Sequence, residues 1–126
     1  MKIDAQTYSV AVSDGEGQVI PKQRLSAGEK QLLAVALLWG LGEASGRALP
    51  VVVDTPLGRL DSSHRGNLVD RYFPHASHQV IVLSTDTEFD EGYVERLRGA
   101  GALAREYLLD FDERAKSSIV KPGYFC

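Results

Sequence analysis

The sequence predicts an α/β domain, a mostly parallel sheet with helices packed against it. Three observations carry this. Residues 49–53 and 79–83 are short apolar runs rich in valine, the pattern of strands covered on both faces in a parallel sheet. Residues 26–45 and 61–72 carry helix signals before and after the first of these runs. Strands then alternate with helices along most of the chain. Neither an internal repeat nor a low-complexity linker interrupts the pattern, so the 126 residues read as one domain.

From the N-terminus, residues 7–12 (TYSVAV) are rich in β-formers and predict a strand. Ser13-Asp14-Gly15-Glu16-Gly17 predicts a turn, and residues 18–20 the returning strand. Pro21 ends the pairing, because proline has no N–H to give a ladder. Ser26 is a strong N-cap residue, and Glu29 three positions on completes a capping-box pattern. The helix begun there is expected to run to about Ser45, with Gly46 as its stop. Leu32, Leu33, Val35, Ala36, Leu37, Leu38, Trp39 and Leu41 nearly surround it, which predicts burial on most sides and a core position for Trp39. The first apolar run ends at Asp54. After a loop over 55–60, Asp61 or Ser62 caps a helix that reaches about Tyr72, before Pro74. The second run ends in the polar stretch Ser84-Thr85-Asp86-Thr87-Glu88. A short helix over 91–98, broken by Gly99 and Gly101, and strands over 104–111 and 117–120 complete the expectation.

Composition narrows the class. Hydrophobic residues at 44% suffice for a core, since a chain of this length buries roughly two-thirds of its unfolded surface. A net charge of −3 argues against a broadly basic nucleic-acid face while leaving room for a local basic patch. The single cysteine, Cys126, leaves no disulfide framework within the chain, and the expectation is a reducing, cytoplasmic setting. There is no run of about 18 apolar residues, so no membrane span is expected, and no charged-then-apolar leader reads as a signal peptide.

Four segments carry candidate chemistry. Residues 25–31 (LSAGEKQ) lie at a loop-to-helix junction, where free N–H groups and the positive end of the helix dipole favour an anion. Gly28 permits close backbone approach and Ser26 adds a hydroxyl. An ordinary capped helix explains the same residues. Asp54 is delivered to the C-terminal end of a strand, where open α/β sheets bind ligands. A carboxylate there commonly holds magnesium through water, although a strand also ends in Asp as a simple turn residue. Gly58-Arg59-Leu60-Asp61 follows, and Ser84 to Glu88 ends the next strand. Two consecutive strands ending in hydroxyls and carboxylates, downstream of a phosphate cap, favour a nucleotide site over two unrelated turns.

In their order, LSAGEKQ, VVVDTPLGRLD (51–61) and VIVLSTD (80–86) resemble the second lobe of ABC-type P-loop ATPase heads of the SMC-like class. The resemblance covers roughly residues 8–90. Within that class, DTPLGRLDSSHRGNLV (54–69) and YFPHASHQVIVLSTDTE (72–88) are similar to the DndD family, the ATPases of bacterial DNA phosphorothioation. The tail Lys121-Pro122-Gly123-Tyr124-Phe125 is similar to that family's C-terminal end. The resemblance implies an ATP-binding and ATP-hydrolysing head acting in sulfur modification of the DNA backbone. Ser26, Ala27, Gly28, Glu29 and Lys30 would be the signature loop, with Ser26 and Gly28 on the γ-phosphate of ATP held by a second head. Asp54 would be the Walker B carboxylate near Mg²⁺, acting through water. Gly58 and Asp61 would belong to the D-loop, Asp61 crossing the dimer interface, and Thr85 and Asp86 to the switch region. The implied partners are a second copy of the head, an N-terminal lobe carrying Walker A, other DNA phosphorothioation proteins, and DNA.

The sequence departs from the wider class at two positions. Thr55 stands where a glutamate usually positions the attacking water, and Thr85 where a histidine is usual. Threonine is no carboxylate base, so Glu88 or Asp86 becomes the candidate to activate water. The sequence also contains no G-x-x-x-x-G-K-[ST], hence no phosphate cradle of its own. The chain is therefore expected to be the C-terminal lobe of a head, inactive alone. Thr55 and Thr85 keep open a non-hydrolysing, ATP-gated DNA clamp, and a general repair ATPase of the same class is a further alternative. His64, His75 and His78 fall short of a zinc ligand set, no G-x-S-x-G elbow marks a hydrolase triad, and Arg59 and Arg65 are either phosphate or DNA contacts or plain surface.

Overall fold

The computed structural model describes residues 1–124; Phe125 and the lone cysteine, Cys126, lie outside the described residues. Three short antiparallel strands open the chain: β1 (Lys2–Ile3), β2 (Val10–Ser13) and β3 (Val19–Ile20), with β2 in the middle. The strand expected from residue 7 begins only at Val10. The Asp4 carboxylate accepts the N–H groups of Gln6 and Thr7 at 2.9 and 2.7 Å, and Tyr8 takes a left-handed φ of 53°. This local turn outcompetes the ladder. Asp14 closes the next turn in the same way, accepting from Glu16 and Gln18.

A short 3₁₀ turn at Lys22–Arg24 leads to α1 (Ala27–Ser45). Its ends are those expected. Ser26 and Glu29 form a reciprocal capping box, and Gly46 ends the helix at φ 61°, a left-handed conformation that a side chain disfavours. β4 (Val51–Asp54) and β5 (Val80–Leu83) form a parallel pair in register from Val51↔Val80 to Asp54↔Leu83. Between them runs α2 (Ser62–Asn67), capped by Asp61, which passes into a π-helical turn at Leu68–Tyr72. α3 (Glu91–Gly99), capped by Asp90, is followed by the antiparallel hairpin of β6 (Tyr107–Asp112) and β7 (Ser117–Pro122). The result is a mixed α/β fold with one parallel pair and two small antiparallel sheets.

The core collects under α2, the π turn and α3. Leu57 and Val69 are fully buried, with Leu60, Leu68, Tyr72, Phe73, Phe89, Val94 and Leu97 around them. Tyr72, Phe73, Phe89 and Tyr93 follow one another at centroid distances of 5.5 to 6.0 Å, the tilted and edge-on range that aromatic pairs favour. Val53, Val80 and Val82 pack against this core from the parallel pair.

Two burial expectations do not hold. α1 buries only Val35, while Leu38, Trp39 and Leu41 remain 43, 36 and 62% exposed. Trp39 meets the core edge-on at Tyr72, centroids 5.4 Å apart. Likewise β4 and β5 are covered on one face alone: Val52, Ile81 and Leu83, on the other, are 56, 42 and 46% exposed. The reason is the same in both cases. Sequence hydrophobicity reports surfaces that need cover, whereas the described residues supply one layer against each. Among them, no helix is long and apolar enough to cross a membrane.

Candidate functional site

The site is built around the loop that leaves β4. Asp54 ends the strand with an exposed side chain, and the sheet continues one residue further, the Thr55 N–H donating to Leu83 O at 2.8 Å. Thr55 itself has φ 45°. A β-branched residue in the left-handed region is strained by about 1–2 kcal/mol, so the surroundings must hold it. Gln31, one turn into α1, does so. Its Nε2 donates to the carbonyls of Thr55 at 3.1 Å and Pro56 at 2.5 Å.

The rest of the loop is fixed at successive points. Pro56 and Leu57 are fully buried. The Leu57 N–H donates to Oε1 of Glu88, a carboxylate only 5% exposed. Leu60 N–H returns to Leu57 O at 3.2 Å, and Arg65 Nε donates to Leu60 O at 2.8 Å. Gly28 completes the docking of α1: a Cβ there would lie 2.7 Å from Arg59 O, closer than carbon and oxygen tolerate. The close approach expected of Gly28 is thus made to the chain's own loop.

Beside these contacts lies a shallow cleft, open to solvent. Ala27, Lys30 and Gln31 line it from α1, and Asp54, Thr55, Gly58 and Arg59 from the loop after β4. Asp54 is the one acidic side chain in that lining, facing two cations, Lys30 and Arg59. Among the described residues neither cation forms an ion pair. The lining suits a small anion, alone or with a metal ion that takes one protein carboxylate and completes its shell with water.

Of the residues singled out in the sequence, Ala27, Lys30, Asp54, Thr55 and Gly58 therefore meet at one cleft. The others sit around it. Ser26 and Glu29 face each other in the capping box, with Ser26 Oγ accepting from Glu29 N–H at 3.2 Å and the Glu29 carboxylate accepting from Ser26 N–H at 2.7 Å. The bond from the Ser26 backbone holds the Glu29 carboxyl below its ordinary pKa, with the Ser26 hydroxyl and nearby His64 contributing. Asp61 accepts from the His64 backbone N–H at 2.9 Å and meets His64 Nδ1 at 2.7 Å; these bonds, the backbone one first, lower its pKa as well. Thr85 Oγ1 meets Thr87 Oγ1 at 3.1 Å, and Asp86 accepts from Thr87 N–H. Glu88, the candidate base, is turned inward onto Leu57. His78 pairs with the Ser77 hydroxyl, and no group of three metal-ligating side chains occurs among the described residues.

Gln31 closes the LSAGEKQ segment, yet nothing in the sequence assigns it this contact beyond the general need of an amide beside an apolar run for polar partners. In comparisons with known proteins, no family matches the chain and no curated protein does.

Proposed function

We propose that this chain is the C-terminal lobe of an SMC-like ABC ATPase head of the DndD type, which binds ATP between two heads and couples it to sulfur modification of the DNA backbone. The observation that carries the reading is that three sequence segments lie side by side and open to solvent at the end of β4, where a second head can meet them. The LSAGEKQ segment supplies Ala27 and Lys30, the strand end supplies Asp54, and the GRLD segment supplies Gly58 and Arg59. Asp54 suits magnesium, which is satisfied by one carboxylate, water and phosphate oxygens. When bound, that ion would polarise the phosphate and neutralise its charge. The bare apolar face of β4 and β5 supports an adjoining lobe, and with it a Walker A element outside this sequence. Other DNA phosphorothioation proteins and DNA are the partners in this reading.

The test is ATP turnover by the complete head with and without Asp54→Ala. Loss of most turnover in the variant is expected; equal rates in both would overturn the ATPase reading. The inward set of Glu88 favours one second reading, a non-hydrolysing ATP-gated DNA clamp. Glu88 is occupied with Leu57 and Thr55 has no carboxylate, so the cleft holds no free base apart from Asp54 itself. A complete head that dimerises on ATP without consuming it would be that clamp.

A further inference from the structure

We infer that the C-terminal tail is a strap that keeps the cleft loop in its strained shape, with Tyr124 as a positioning residue that acts through Ser84. The loop leaving β4 is fastened to the segment that ends β5 at two points. Thr55 N–H donates to Leu83 O at 2.8 Å, and Leu57 N–H donates to the buried Glu88 carboxylate. Ser84 lies between these two grips. It follows Leu83, and it precedes Thr85, whose carbonyl accepts the N–H groups of Glu88 and Phe89 at 3.1 and 3.0 Å. That turn carries Glu88 to Leu57. The Ser84 hydroxyl in turn shares a hydrogen bond of 3.0 Å with the hydroxyl of Tyr124, 40 residues further along the chain.

The tail is built to make this contact. β6 and β7 stay paired up to Tyr107↔Pro122, and Gly123 N–H then closes on Glu106 O at 3.0 Å. Gly123 has φ 86°, a left-handed turn that glycine makes without penalty. Arg98 of α3 holds the Glu106 carboxylate at 2.5 Å. The Tyr124 ring packs against the core, so its hydroxyl reaches Ser84 with little side-chain freedom left to lose. What the strap serves is Thr55. A β-branched residue in the left-handed region persists only where its surroundings over-determine it. Gln31 holds the carbonyls of Thr55 and Pro56, and Leu83 holds the Thr55 N–H. Loosening Ser84 weakens the second hold, and the loop between Asp54 and Gly58 relaxes. Displacing the tail therefore alters the cleft without entering it. Only that consequence rests on the cleft as the nucleotide site of the proposed function; the hold on the loop does not.

The experiment is amide hydrogen exchange of this chain, followed by NMR, in the parent and in Tyr124→Phe, which keeps the ring and removes the hydroxyl. Exchange at Thr55 and Leu57 should quicken about fivefold, the order expected for losing one hydrogen bond. Arg65 and Phe73, whose amides bond within the α2 and π-turn segment, should change by less than about twofold, since local openings are separable from global ones. Ser84→Ala should act as Tyr124→Phe does, and the double variant no more than either, because both remove the same bond. Ser84→Thr, which keeps a hydroxyl, should protect the loop as the parent does. Tyr107→Phe removes an exposed hydroxyl from the start of β6 and should leave both amides unchanged. Unchanged exchange at Thr55 and Leu57, an equal rise at Arg65 and Phe73, additive effects in the double variant, or Ser84→Thr exchanging as fast as Ser84→Ala would overturn the inference. Turnover by the complete head plays no part in this measurement, so the ATPase reading and the strap fail separately.

Discussion

Thr55 carries the clearest local strain in the chain. Its left-handed φ is a conformation that glycine adopts without penalty. Thr55→Gly should therefore raise stability by about 0.5–1 kcal/mol, the strain relieved less the added freedom of glycine in the unfolded chain. Urea midpoints of the two proteins check this; a lower midpoint for the glycine variant would mean that the threonine side chain contributes more than its strain costs. Gly28 is the opposite case. With Arg59 O 2.7 Å from the position of a Cβ, Gly28→Ala must push α1 off the loop, at about 1–3 kcal/mol. The same urea series reads it, and an unchanged midpoint would show that the loop yields easily. Together these residues say that the approach of α1 to the end of β4 is set sterically, by the absence of a side chain at one point and a held backbone at another.

At the level of elements, α1 and α2 start on capping carboxylates that are depressed in pKa, Glu29 and Asp61. A carboxyl whose pKa is lower folded than unfolded adds stability above its unfolded value and loses it as pH falls through the folded one. The contribution of both caps should thus be complete at neutral pH and decline progressively below about pH 5, where unfolded carboxyls begin to protonate. Thermal melts of the parent and of Glu29→Gln with Asp61→Asn should differ at pH 7 and converge in acid; a constant gap would mean that the caps act without their charge. Such caps were legible in the sequence because they are local: Ser26, Glu29, Gly46 and Asp61 act within four residues of themselves. So was the pairing of two valine-rich runs that each lead to polar residues. The start of β2 was not legible, since a single carboxylate on Asp4 redirects a β-rich segment. Nor was the bond from Gln31 to residues 24 and 25 positions away, because a sequence states that an amide needs partners without stating which. The same limit hid the inward turn of Glu88, which reads in the sequence as an accessible acid at a strand end.

On the scale of the whole molecule, the uncovered faces dominate. Val52, Ile81 and Leu83 on the parallel pair, and Leu38 and Leu41 on α1, present apolar surface that a lone chain leaves to water. Val52→Thr with Ile81→Thr should leave the unfolding midpoint nearly unchanged, because these side chains are not in the core, while reducing binding of an apolar fluorescent dye and self-association by light scattering. A large drop in midpoint would mean that the face is covered in solution. The π turn at Leu68–Tyr72 constrains the chain in another way, through its length. Phe73 N–H reaches back five residues to Leu68 O at 3.0 Å, so this turn holds one residue more than the α-helical winding of α2 before it. Removing one residue within this turn would return it to α-helical winding and leave Phe73 near its place in the core, whereas one residue more would rotate everything after it by roughly 100°. A single-residue deletion in this turn is therefore a change of length that the segment can take up without a change of helical phase.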